Sequence, residues 1–181
     1  MLRSLYGACR LAVMDPSGMA HFNLTVEGFW RSFFAAVLVA PGYALLVAER
    51  MMDRPESLAL GWVVLVETVA YALAWAIFPL AAIILTHWLG LARRYVPLVI
   101  AVNWAAVLQI VLFLVTIWLS LALPDSLGGL VVTAVTGILL LYQWYVVRTA
   151  LQTTGGVALA LVLVDVLLST AINVSAERLY L

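Results

Sequence analysis

Residues 95–123 read YVPLVIAVNWAAVLQIVLFLVTIWLSLAL and contain no Asp, Glu, Lys or Arg. A helix needs about 20 mostly apolar residues to cross the hydrocarbon core of a bilayer, and this run is longer than that. The same pattern recurs on both sides of it. Upstream, residues 59–85 form an apolar run too long to cross straight, with Pro79 expected to kink or break it and leave Leu80 to Leu85 as a last turn or two. Before that, residues 29–48 carry Arg31 near their start and Pro41-Gly42 in their middle. Downstream come residues 129–147, ended by Arg148, and residues 157–176, after the polar glycine turn Gln152-Thr153-Thr154-Gly155-Gly156. Alternating strand patterns are absent, which argues against a β-barrel. The fold class is therefore an all-α integral membrane protein, a five-transmembrane-helix bundle over residues 28–181.

Composition agrees. The chain has 181 residues, 66% hydrophobic and 10% charged, with a mean hydropathy of +1.15. Soluble domains carry about 25% charged residues, so lipid must be the main solvent and the lipid bilayer the first partner. All nine positive charges are arginine and the net charge is +0, leaving no basic field for nucleic acid. The single Cys9 excludes an internal disulfide and any multi-cysteine metal site. There is no Gly-x-x-x-x-Gly-Lys phosphate loop, Gly-x-Ser-x-Gly elbow or His-Glu-x-x-His zinc helix. His21 and His87 lie outside the expected spans and read as interfacial residues. The expectation is a non-enzymatic protein with no catalytic residue, cofactor or metal.

Residues 1–27 are a separate amphipathic segment. Leu2, Leu5, Tyr6, Cys9, Ala12 and Val13 recur at helical spacing, with Arg3, Ser4 and Arg10 opposite. Such a helix suits the headgroup region, and Arg3 and Arg10 interrupt any apolar run of signal-peptide length. Asp15-Pro16-Ser17-Gly18 reads as a turn. Thr25 is placed to cap the next helix, with Glu27 favourable at its positive end. Residues 49–57 read as a charged loop. With the amino terminus inside, inner segments hold Arg3, Arg10, Arg31, Arg93, Arg94 and Arg148, against Arg50, Arg54 and Arg178 outside. Arginine asymmetry thus favours that orientation and an outside carboxyl terminus.

Polar side chains inside spans are the informative exceptions, because burying them in lipid is costly. They are Arg31, Glu67, Asn103, Gln109, Gln143 and Asp165. At 1.5 Å rise per residue, Asn103 and Asp165 lie roughly 12 Å from the inner face and Gln143 roughly 6–9 Å. Glu67 lies roughly 12 Å from the outer face, with Gln109 near its level. Two layers result: Asn103, Gln143 and Asp165, then Glu67 and Gln109. They read either as an ion or polar-substrate site or as interhelical hydrogen bonding. Asp165 has no polar neighbour within a turn of its own helix, so Asn103 or Gln143 is its expected partner.

Gly129, Thr133 and Gly137 make a small-residue stripe at four-residue spacing. It reads as packing inside the bundle or as a face for a homo-oligomer or larger membrane complex. Trp30, Trp62, Trp88, Trp118, Trp144 and Tyr145 gather near span ends as an interfacial belt, while Trp75 and Trp104 lie deeper.

Five spans, an inside amino terminus and an amphipathic segment with Met14-Asp15-Pro16 before the first span resemble the Yip family, five-span membrane proteins named for interacting with Ypt/Rab GTPases. The resemblance covers the whole chain at the level of architecture and transfers no functional residue. It implies a membrane protein acting through interaction. The arginine-only, Ala/Leu/Val-rich composition is similar to that of GC-rich bacteria, which implies a cell inner membrane. The alternative reading is a small oligomeric transporter or channel subunit using Asp165 and Glu67. Such proteins are commonly built from paired repeats, and no repeat is visible.

Overall fold

Backbone N–H and C=O groups in hydrocarbon must be satisfied within the segment, and the apolar runs do this as helices. The computed structural model describes residues 1–52 and 59–180. Among them are α1 (Leu2–Ala12), a 3-10 turn (Pro16–His21), α2 (Val26–Ser32), α3 (Phe34–Met52), α4 (Leu60–Trp88), α5 (Tyr95–Leu121), α6 (Asp125–Leu151) and α7 (Gly155–Arg178), with no strand. Five of these segments are long and apolar enough to cross a membrane, α2 and α3 together making the first. The charge read as Arg54, and the part of the expected loop after Met52, lie outside the described residues.

Several boundaries differ from the sequence expectation. The first span, read as one run, is divided at Phe33. The Ser32 hydroxyl donates to the Phe29 carbonyl at 2.7 Å, and the amides of Phe33 and Ala36 make tight turn bonds to Trp30 and Phe33. Pro41 sits within continuous helix, and the next residue explains its company: a Cβ on Gly42 would lie 2.7 Å from Ile110 of α5. The break expected at Pro79 is absent. Helix α4 runs on to Trp88, carrying His87 in its last turn, with Phe78 and Pro79 buried. An opened backbone there would be costly in lipid. The segment expected as a loop from residue 49 is helical to Met52. Helix α6 is longer than expected at both ends. It begins at Asp125, whose charge suits a helix N-terminus, and ends where Gln152 takes a left-handed φ of 52°.

Helix α5 is the hub, packing against α1, α2, α3, α4 and α6, while α7 packs between α6 and α4. The main core lies at the end of the bundle that carries α1, around Leu98, Ile100, Tyr142, Val146, Leu151 and Leu161. A second, smaller cluster of Val63, Val66, Ala70, Ala176 and Tyr180 lies at the far end. The far halves of α5 and α6 expose Trp118, Leu121, Leu130 and Ile138.

Helix α1 docks on this core through Gly7, Ala8 and Leu11, flanked by Leu5 and Ala12. Gly7, Ala8 and Leu11 are buried, and the Tyr142 hydroxyl donates to the Ala8 carbonyl at 3.0 Å. Leu2, Tyr6 and Val13 stay exposed, as does Cys9. Of the stripe read from the sequence, Leu5 and Ala12 pack against the core, and Leu2, Tyr6, Cys9 and Val13 stay on the outside. Small residues decide the docking: a Cβ on Gly18 of the 3-10 turn would lie 2.5 Å from the Gly7 carbonyl oxygen. Asp15 joins the two elements, accepting from Ser17 N–H at 2.9 Å and from Arg10.

Candidate intramembrane polar sites

The polar residues of the spans form three groups. In the first, Gln109 Nε2 of α5 donates to Gln143 Oε1 of α6 at 3.1 Å. Gln143 Nε2 in turn donates to Asp165 Oδ2 of α7 at 3.3 Å. Three spans are thus joined by one chain of side-chain hydrogen bonds, with Gln143 buried and Asp165 half-buried.

Gln109 was expected beside Glu67, a layer away. Side-chain direction explains the difference. Arg94 bonds Gln152, which fixes a common level at the α1 end. From there Gln109 lies about 22 Å along α5 and Gln143 about 13 Å along α6. Every Cα–Cβ bond tilts toward its helix N-terminus. Because α5 and α6 are antiparallel, Gln109 leans back toward the α1 end while Gln143 leans toward the far end. Two long amides close the remaining gap.

The second group is Asn103 and Ser32. Asn103, only 5% exposed, donates from Nδ2 to Ser32 Oγ at 2.9 Å, and Ser32 passes the bond to Phe29. Asn103 thus serves the break between α2 and α3, with no direct bond to Asp165. Nothing in the sequence marked Ser32, since a serine next to Arg31 reads as interfacial.

The third group centres on Glu67 of α4, also 5% exposed. Tyr43 of α3 donates to Glu67 Oε2 at 2.6 Å, and Tyr180, just beyond α7, donates to Oε1 at 2.6 Å. Distances this short suit hydroxyls donating to a carboxylate. Burial, and then the bond to Glu67, push Tyr180 up to about 12, so it stays a donor at neutral pH. Close by, Arg50 bridges to Glu177 at 3.2 Å, and the Trp62 indole donates to the Leu179 carbonyl at 2.9 Å. Tyr71 ties α4 to α3 again through the Ala36 carbonyl at 2.6 Å. Glu67 stands out within its apolar run but its partners do not, because Tyr43 and Tyr180 lie on other segments and carry no local mark of the contact.

The stripe of Gly129, Thr133 and Gly137 faces away from the other helices. A Cβ on Gly129 or Gly137 would meet nothing within 4 Å, and Thr133 is exposed, its hydroxyl turned back to the Gly129 carbonyl at 2.9 Å. The expectation that this stripe packs inside the bundle fails. The glycine that does pack is its neighbour Gly128, where a Cβ would lie 2.9 Å from the Ser120 carbonyl oxygen at the α5–α6 connection.

No protein-family model matches the chain, and no curated protein or solved structure does either. The site has to be read from its own chemistry. Among the described residues no group of three His, Cys, Asp or Glu side chains is close enough to hold a metal ion, and no buried side-chain polar atom lacks a hydrogen-bond partner. What the geometry offers is two intramembrane carboxyls in separate settings: Asp165 at the end of an amide chain, and Glu67 between two phenols.

Proposed function

We propose that this chain is a non-enzymatic multi-pass membrane protein that acts by helix-mediated association, with a second copy or as a subunit of a larger membrane complex. The observation that supports the reading is the outward-facing stripe of Gly129, Thr133 and Gly137 on α6. Small residues let helix backbones approach closely in lipid, where packing replaces the hydrophobic drive. A face of this kind with no neighbour in its own bundle suits a helix from elsewhere. The Yip-like plan of the sequence fits the same reading, as does a cell inner membrane with the amino terminus in the cytoplasm. The test is the mass of the particle in mild detergent and in lipid nanodiscs, compared with the 19.7 kDa chain. Association that is lost when Gly129 and Gly137 are both replaced by leucine supports the proposal. A wild-type particle that is monomeric in both media, with no co-purifying protein, overturns it.

The Gln109–Gln143–Asp165 chain favours a second reading, an oligomeric transporter or channel subunit. Ionisable residues at membrane depth commonly mark ion or proton routes. On this reading Asp165→Asn abolishes a flux in proteoliposomes without lowering expression. Normal flux in that variant, or none in the wild type, sinks it.

A further inference from the structure

Helices α3 and α4 are consecutive in the chain, yet α3 packs mainly on α5 and α4 on α7. Toward the far end they stand apart and enclose a groove of about 620 Å³, the size of a typical small-molecule site. We infer that this groove binds a lipophilic organic cation, with Glu67 as its counter-charge.

The walls are apolar, formed by Ala44, Val47 and Met51 of α3 and by Leu60, Val63 and Val64 of α4. The Glu67 carboxylate lies at the groove and is held there by neutral donors, the hydroxyls of Tyr43 and Tyr180. The nearby guanidinium of Arg50 is bridged to Glu177. Among the described residues lining the groove, Glu67 is the one with an acidic side chain, and no Arg or His lines it. A carboxylate at membrane depth with the nearest guanidinium already engaged suits a cation. The groove also fixes which kind. A compact, strongly hydrated ion would lose its water against apolar walls, whereas a cation with its charge spread over an apolar body would not. The rings of Tyr43 and Tyr71 line the groove with centroids 4.8 Å apart and offer π faces to such a charge. The exposed Ala44 and Val64 leave the groove open laterally, so the ligand arrives from the bilayer. This inference is independent of association through α6.

The test uses the full chain in detergent micelles, with tetraphenylphosphonium as probe and isothermal calorimetry as readout. Saturable binding is expected, weakened by at least about tenfold in Glu67→Gln, where the counter-charge is lost. Ala44→Phe fills the groove without touching the polar cluster, and its expected loss is equally large. Neutral triphenylphosphine oxide is expected to bind at least about tenfold more weakly than the phosphonium. If Glu67→Gln is not recovered folded, the groove-filling variant and the neutral probe decide the matter. No saturable binding by the wild type, unchanged affinity in a folded variant, or equal affinity for the neutral probe overturns the inference.

Discussion

Asp15 carries more of the amino-terminal architecture than its place in a turn suggests. Hydrogen bonding from Ser17, and after it the Arg10 guanidinium, hold its carboxyl below the ordinary value of 3.8. A depressed carboxyl contributes stability that is complete above its unfolded pKa and is lost as pH falls through the lower folded one. The α1–turn pairing should therefore be intact at neutral pH and loosen as pH falls below the ordinary carboxyl value of 3.8. Amide hydrogen exchange at Ser17 and Gly18 reads this directly, and Asp15→Asn should reproduce the loosening at neutral pH. Protection that is unchanged in that variant would contradict the assignment. At this scale some residues were legible in the sequence. Thr25 caps α2 as expected, accepting from Gly28 N–H at 3.1 Å, because capping is a local event. Tyr43 and Tyr180 were not legible as partners of Glu67, because nothing local records which side chains meet across 24 and 113 residues.

Between helices, the Gln143 amide occupies the decisive position, since it both accepts from α5 and donates to α7. Removing it leaves Gln109 and Asp165 each without the partner described. Interhelical hydrogen bonds in membranes average about 0.6 kcal/mol, with a maximum of about 1.7. Gln143→Leu should therefore cost about 1–3 kcal/mol, measured by steric trapping or by unfolding in mixed micelles. A variant as stable as the wild type would mean that the chain does not hold the three spans together. The existence and number of spans could be read from hydropathy alone, because each apolar run is a property of one segment. Their cross-connections could not. Counting residues from a common surface put Gln109 beside Glu67, and only the opposite lean of side chains on antiparallel helices moves it to Gln143. Binary spacing likewise identified the small-residue stripe on α6 but not the side it faces, since any face of an apolar helix can turn toward lipid.

Taken whole, the bundle is packed unevenly. Leu161 of α7 is 2% exposed within the core near α1, while Leu130 on the far half of α6 is 66% exposed. Leu161→Ala should cost about 2–5 kcal/mol, as large-to-small changes in a core do. Leu130→Ala should stay within about 0.5 kcal/mol. Parallel unfolding measurements on the two variants check the contrast, and equal costs would show the far half to be as closely packed as the near half.

The separation of α3 from α4 also bears on biosynthesis. Spans emerge from the ribosome one after another, but the first and second make their principal helix contacts with the third and fifth. Among the described residues, the hydroxyls of Tyr43 and Tyr71 make the hydrogen bonds that join the early hairpin. The third and fourth spans, by contrast, come out as a ready-made pair, α5 against α6. The expected order of maturation is therefore back-loaded, with the late hairpin as template and the two older spans joining it.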